Sequence, residues 1–368
     1  MTNPSALYAR IRQIIEAAHT AAARSVNTAQ VASNWLIGRE IVEEEQQGMR
    51  RARYGAKLMQ NLALRLGREY GPGYGILNLK LFKRFYLTYP ELTGCRKGYA
   101  VRNLFQPEPL APLSRPDHTL QERGWKPGVI HSNLSWTHYR RLLHVDTAAA
   151  RAFYEIEAIT NNWSARELER QVDSLLYERL ALSKDKEGLL QLSKKGQQIQ
   201  EAIDLFKDPV VIEFLGLPES PRLQESALEQ ALIDNLKAFL LEMGKGFAFV
   251  ARQERLTLDG DHFYIDLVFY HTVLKCFIII DLKAGKLTHH DLGQLQLYVN
   301  YYDRERRSKD DNPTLGLILC ADKNDAVVRY TLGEAQGKTL FASRYKLHLP
   351  SERELKAELR RELLSMGG

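Results

Sequence analysis

Two carboxylates and a lysine, Asp266, Asp281 and Lys283, are the residues of this chain best placed to do chemistry. Asp281-Leu-Lys283 follows the apolar run Phe277–Ile280. A strand alternates its faces with period two, so Asp281 and Lys283 project to one side while Leu282 packs on the other. Asp266 lies in the preceding strand-like run, and if the two strands pair as a hairpin it comes beside Asp281. Two carboxylates held together in a partly buried place repel each other, and a divalent cation relieves that cost. Hard oxygen ligands in small number suit Mg²⁺ (or Mn²⁺), which keeps several waters and also binds phosphate. The ammonium of Lys283 then orients or stabilises an attacking hydroxide and offsets charge building on a phosphorane. The chemistry that fits is hydrolysis of a phosphodiester. Acid-x-Lys is uninformative alone: it recurs at Glu354-Leu-Lys356, in an expected helix, where i and i+2 point apart. Placement on a strand separates the two.

The elements around the trio follow from periodicity. Leu228, Leu232, Leu236, Phe239 and Leu240 stripe one long helix that ends at Met243 before Gly244. Strands are expected at Phe247–Arg255 and His262–Tyr270, joined by a hairpin turn at Asp259-Gly260, and at Leu274–Leu282, apolar enough to be buried on both faces. A helix (Thr288–Asp303), a strand (Thr314–Cys320), a short helix (Asn324–Leu332) and a strand (Thr339–Leu347) complete an α-β-β-β-α-β-α-β order, which makes a mixed sheet flanked by helices. His289-His290-Asp291 opens a helix, where polar groups serve as caps. His262 and His271 flank the second strand.

The first half reads as helix. Apolar positions recur at three and four residues in Leu7–Ala22, Val31–Val42 and Tyr54–Leu66. Gly71-Pro72-Gly73 breaks the third, and Asn78 is placed to cap a helix over Leu79–Tyr89. A helix, a tight break and a short basic helix have a helix-turn-helix-like outline, in which Lys80, Lys83 and Arg84 meet DNA phosphates. Residues 94–130 are proline-rich loop. Further helices start at Ser135, at Asp146 and at the capping box Ser164-Ala-Arg-Glu167. Trp136, Tyr139 and Trp163 are read as helix-packing aromatics.

At 368 residues the chain is expected to form about two domains, and its 44% hydrophobic, 26% charged composition is that of a globular protein. The expected division is a helical domain over 1–182, a linker over 183–222, a second domain over 223–350 and a charged tail helix over 351–368. No apolar run approaches the roughly 20 residues that span a bilayer. With no signal layout at the N-terminus and no cysteine framework among Cys95, Cys276 and Cys320, a cytoplasmic, reduced protein without membrane contact is expected. The net charge of +6 is concentrated: from position 50 to 97 there are eleven basic residues and two acidic ones. Such a field, carried by Arg50, Arg51, Arg53, Lys57, Lys80, Lys83 and Arg84 among others, attracts polyanions, DNA first.

Several stretches together resemble the YhcG family: LSWTHYRRLL (134–143), NWSARELERQVDSLLYERL (162–180), GFAFVARQERL (246–256), FYIDLVFYH (263–271), IDLKAGKLTH (280–289), GQLQLYVNYYD (293–303) and LGLILCADK (315–323). The likeness covers nearly all of the chain. It implies an α/β protein, α+β overall, in which an all-helical N-terminal domain precedes a restriction-endonuclease-like αβββαβ domain of the PD-(D/E)xK nuclease superfamily. It also implies roles. Asp266 matches the first half of the signature and Asp281 with Lys283 the second, here Asp-x-Lys in place of the commoner Glu-x-Lys. Glu229 matches the extra acidic metal ligand many such enzymes draw from the preceding helix, with Glu225, one turn earlier, as its rival. Gln294 and Tyr298 resemble the Gln-x-x-x-Tyr element that helps hold the site and the nucleic-acid strand. The implied activity is that of a Mg²⁺- or Mn²⁺-dependent DNA endonuclease in recombination, repair, restriction or phage defence. A homodimer and defence-system partner proteins are further expectations. The alternatives are a catalytically silent DNA-structure-binding protein and an assembly subunit of a defence system.

Overall fold

The computed structural model describes residues 4–47, 52–92, 125–182, 186–199, 201–218, 223–332, 336–351 and 353. For 4–22, 47, 52–57, 182, 186–187, 189–190, 329 and 336 it describes the backbone alone. Most of the expected proline-rich loop, Cys95, Arg50, Arg51, the side chains of Arg53 and Lys57, and most of the expected tail helix lie outside it. The chain divides into two compact units, Met1–Val172 with Leu190–Gly196, and Asp173–Leu189 with Gln197–Gly368.

The first unit is helical. Helix α1 runs unbroken over Pro4–Gln47, where two shorter helices were expected. The segment between them, Ala23–Gln30, contains neither Gly nor Pro, so nothing stops the backbone ladder. Helix α2 (Ala52–Tyr70) ends at Gly71, whose φ of 93° only glycine adopts readily. Helix α3 (Ile76–Thr88) begins before Asn78, which does not cap it and instead donates from Nδ2 to Gly73 O at 2.9 Å. Helices α4 (Trp136–Leu142), α5 (Ala148–Thr160) and α6 (Ala165–Asp173) follow. Phe82, Phe85, Tyr89, Trp136 and Tyr139 stack in a cluster with centroids 5.0 to 5.7 Å apart, so Trp136 and Tyr139 are core. Trp163 is buried too.

Helices α1 and α3 approach so closely at Gly38 that an added Cβ would lie 2.0 Å from Phe82 O. Gly38→Ala must push the two backbones apart, and overpacking of this kind costs about 1–3 kcal/mol or more. A fall in the thermal midpoint of the purified variant is the expected result, and an unchanged midpoint would contradict the packing.

The second unit holds α7 (Leu176–Leu182), α8 (Lys186–Lys195, shared by sequence with the first), α9 (Glu225–Asp234), α10 (Leu236–Met243), α11 (His289–Tyr301) and α12 (Asp325–Thr331). Its strands are β1 (Val210–Val211), β2 (Phe247–Leu258), β3 (Asp261–His271), β4 (Cys276–Lys286), β5 (Leu315–Asp322) and β6 (Leu340–Lys346), ordered β1-β6-β5-β4-β3-β2 in one sheet. β2–β3 and β3–β4 pair antiparallel, the rest parallel. The fold is therefore a helical region followed by a mixed α/β sheet. The β2–β3 turn is Asp259-Gly260, both at positive φ, as a type I′ hairpin requires.

Two elements depart from expectation. The segment expected as linker supplies β1, paired to β6 through Val210↔Tyr345. The expected single helix over 228–243 is two, because Asn235 turns out of helical geometry and its Nδ2 donates to Ala231 O. β4 is buried on both faces. Ile278, Ile280 and Leu282 pack with Leu228, Leu232 and Phe239, and Ile279 packs on the other side with Leu292, Leu295 and Tyr298.

Candidate active site

The β3–β4 ladder stops at Leu267↔Ile280, and the next two residues are Asp266 and Asp281. Where the strands part, Asp266 takes over a backbone role: its Oδ2 accepts from Leu282 N at 2.8 Å. That bond brings its carboxylate beside the Asp281-Leu-Lys283 triplet. Alternation puts Asp281 and Lys283 on one face, and their side chains meet with Lys283 Nζ 3.1 Å from Asp281 Oδ2. Asp281 Oδ2 is buried beside that ammonium.

Helix α9 brings both acidic candidates. Glu229 and Asp266 share one donor: Gln253 Nε2 lies 2.7 Å from Glu229 Oε2 and 3.0 Å from Asp266 Oδ1. Glu225 serves the other side, with Oε1 accepting from Ala284 N at 3.3 Å and Oε2 3.7 Å from Lys283 Nζ. Glu225 also acts on both Asp266 and Asp281, raising each. From α11, Gln294 Nε2 donates to Tyr298 OH at 2.5 Å. Tyr298 is fully buried, so it supports the site from behind and offers no surface to a base.

Burial governs the charges here. It pushes the Asp281 carboxyl up to about 7, against the lowering effect of Lys283, and neighbouring Asp266 adds to the rise. Burial also raises Asp266 and Glu229. For Lys283 burial acts downward, but Asp281, Glu225 and Asp291 outweigh it and the ammonium lies above the ordinary lysine value. Beside these acids Lys283 is held as the ammonium.

Among the described residues no three His, Cys, Asp or Glu side chains form a ready-made metal cage. Two neighbouring carboxylates suit an ion that keeps most of its waters, as Mg²⁺ does. The histidines have other tasks. His262 Nδ1 lies 3.1 Å from Thr257 Oγ1, and buried His271 spans Lys245 O and Leu274 N. Asp291 closes a capping box with Thr288, and His289 and His290 are exposed.

In the first unit Lys80 and Arg84 are exposed on α3, with Leu77 and Leu87 on the same surface. Lys83, on the same helix, is ion-paired with Glu45 of α1. Among the described residues no helix is long and apolar enough to cross a membrane.

Residues 203–362 match the YhcG PDDEXK nuclease domain and residues 10–179 the DUF1016 N-terminal domain. Over 354 residues, 95% of this chain and 92% of the relative, the sequence is 39% identical to the "Putative nuclease YhcG" of Escherichia coli (strain K12). The chain belongs to the YhcG family. Its C-terminal half is a PDDEXK nuclease domain, and Asp266, Asp281 and Lys283 fall inside the matched span. Solved structures similar to this YhcG-family chain include a repair endonuclease from Pyrococcus abyssi (17% identity, TM-score 0.25) and an EndoMS–dsDNA2 complex (19% identity, TM-score 0.26). Each match covers 36% of this chain and about half of the other, 50% and 48%. Gln253, whose amide bridges Glu229 and Asp266, is absent from the sequence-based candidates.

Proposed function

We propose that this YhcG-family nuclease hydrolyses DNA phosphodiester bonds with Mg²⁺ or Mn²⁺ held by Asp266 and Asp281 and completed by Glu229. The observation that carries the reading is the convergence of Asp266 and Asp281 where β3 and β4 part, beside the Lys283 ammonium. Two buried carboxylates this close repel each other, Asp266 adding to the rise of Asp281, and a hard cation offsets that repulsion. When bound, such an ion supplies Lewis-acid polarisation of a phosphate oxygen.

The chain's own residues do the rest. Lys283 donates to the attacking hydroxide or to a non-bridging oxygen and offsets the negative charge that grows on phosphorus. Glu225 and Asp281 keep it protonated and aimed. Tyr298, bonded to Gln294, closes the wall behind Asp281. DNA is favoured as the polyanion by the basic run of positions 50–97, of which Lys80 and Arg84 are exposed. The reading extends to a cytoplasmic role in recombination, repair, restriction or phage defence, with a homodimer, or defence-system partners, supplying the second site that two-strand cleavage needs.

The test is a panel of plasmid, single-stranded and branched DNA with Mg²⁺, Mn²⁺ or EDTA. Cleavage with either metal and none in EDTA is expected. Salt-sensitive binding without cleavage in any metal would favour the silent binding protein.

A pH dependence follows in the metal-free protein. The folded value of about 7 for Asp281 exceeds the usual 3.8, so the folded state holds this proton more tightly than the unfolded one. Its contribution to stability is present below the usual value and is lost as pH rises toward and through about 7. In EDTA the melting temperature is expected to fall as pH rises across that window, and Mg²⁺ should restore it most at the alkaline end. A melting temperature equally responsive to Mg²⁺ at both ends would contradict the assignment.

A further inference from the structure

Gln253 stands opposite Asp266 across the β2–β3 ladder, between the regular pairs Arg252↔Leu267 and Glu254↔Ile265. Its single side-chain nitrogen carries two hydrogens, and both are spent on carboxylates: Glu229 of α9 at 2.7 Å and Asp266 of β3 at 3.0 Å. Its backbone sits at φ 46°, in the left-handed region. A non-glycine residue there costs about 1–3 kcal/mol and persists where surrounding interactions over-determine it. The pairs on both sides are in register, so strand pairing does not demand that conformation. The conformation coincides with the hydrogen bonds to two acids from different elements.

Charge logic points the same way. Asp266 is already fixed at one oxygen by Leu282 N. Glu229 sits on a helix, on a longer side chain, and Gln253 is what ties it to the strand acid. Each bonded oxygen retains a lone pair for a cation. We propose that Gln253 is a positioning residue that holds Glu229 against Asp266 so that both carboxylates face one divalent ion. This rests on the metal reading above. A second link between the same elements runs alongside: Arg252 Nη1 donates to Gln230 Oε1 at 3.1 Å. It joins β2 to α9 without touching either acid, and so provides the control.

The experiment is Mn²⁺ titration of the full chain by calorimetry, without nucleic acid, on wild type, Gln253→Met, Arg252→Met, Glu229→Ala and the Gln253→Met/Glu229→Ala double variant. Methionine keeps the length and loses both donors. Removing a hydrogen bond to a ligating carboxylate typically costs 10–100-fold in metal affinity, and about that rise in Kd is expected for Gln253→Met. Arg252→Met should stay within about twofold. Glu229→Ala should add little once Gln253 is gone, because the two residues act as one unit. A Gln253→Met Kd equal to wild type, an equal loss in Arg252→Met, or additive effects of Gln253→Met and Glu229→Ala would each overturn the role of Gln253 while leaving the metal reading intact. Wild type that takes up no Mn²⁺ would overturn both.

Discussion

Asp281→Ala is expected to lower metal-dependent DNA cleavage by at least about 10³-fold, and Lys283→Ala by about 10²–10³-fold, the range found when one preorganised electrostatic contact to a transition state is removed. The two losses should differ in kind. Asp281→Ala removes a carboxylate that holds the ion, so Mn²⁺ affinity falls along with kcat. Lys283→Ala removes a cation from beside two acids, so the ion should bind at least as tightly while kcat falls. Neither change empties the hydrophobic interior: Ile278, Ile280 and Leu282 pack on the other face of β4. Both variants should therefore melt cooperatively. Cleavage by Asp281→Ala or Lys283→Ala at the wild-type rate, measured under single-turnover conditions, would remove the catalytic assignment.

The largest stability effect is expected far along the sheet, at Arg179. Its guanidinium and the Glu242 carboxylate are both fully buried, with Arg179 Nη1 2.6 Å from Glu242 Oε1. The pair is saturated: Arg179 also donates to Ser174 O at 2.8 Å and Pro209 O at 3.0 Å. Glu242 Oε1 also accepts from Val211 N at 3.0 Å, and Lys207 Nζ bonds Glu242 O. Helix α7, strand β1 and helix α10 are pinned at one point. Arg179→Met strands the Glu242 charge in the interior, at a cost of about 3–5 kcal/mol. That is a large part of the 5–15 kcal/mol by which domains are typically stable. Arg179→Met/Glu242→Leu should recover part of the loss, since no unpaired charge remains although Val211 N and Pro209 O lose their partners. Urea unfolding checks both. A single variant as stable as wild type would mean that Glu242 finds another partner or a proton at no cost.

The sheet that carries the site was legible from alternation and turn chemistry. Phe277–Ile280 could only be a strand buried on both faces, and Asp259-Gly260 could turn a hairpin with both residues at positive φ. The carboxylates were legible because charges that end an apolar strand need partners. Contacts between residues distant in sequence were not. β1 has two residues, too few for any period, and its place depends on Glu242 bonding Val211 N. The break at Asn235 interrupts an apolar stripe that continues in phase on both sides. Lys83 looks like its neighbours Lys80 and Arg84 until Glu45, thirty-eight residues earlier, closes on it. Gln253 is one exposed polar residue in a strand, and only the approach of α9 gives its amide two acids to bridge.

The most direct measurement is Mn²⁺ anomalous scattering from crystals of the full chain grown or soaked with the ion. An anomalous peak is expected between Asp266 and Asp281, about 2.0–2.6 Å from an oxygen of each, with Lys283 beside it. Saturating Mn²⁺ with no peak there, or with its peak bound to other side chains, would contradict the claim that these two strand-end carboxylates form the ion's seat.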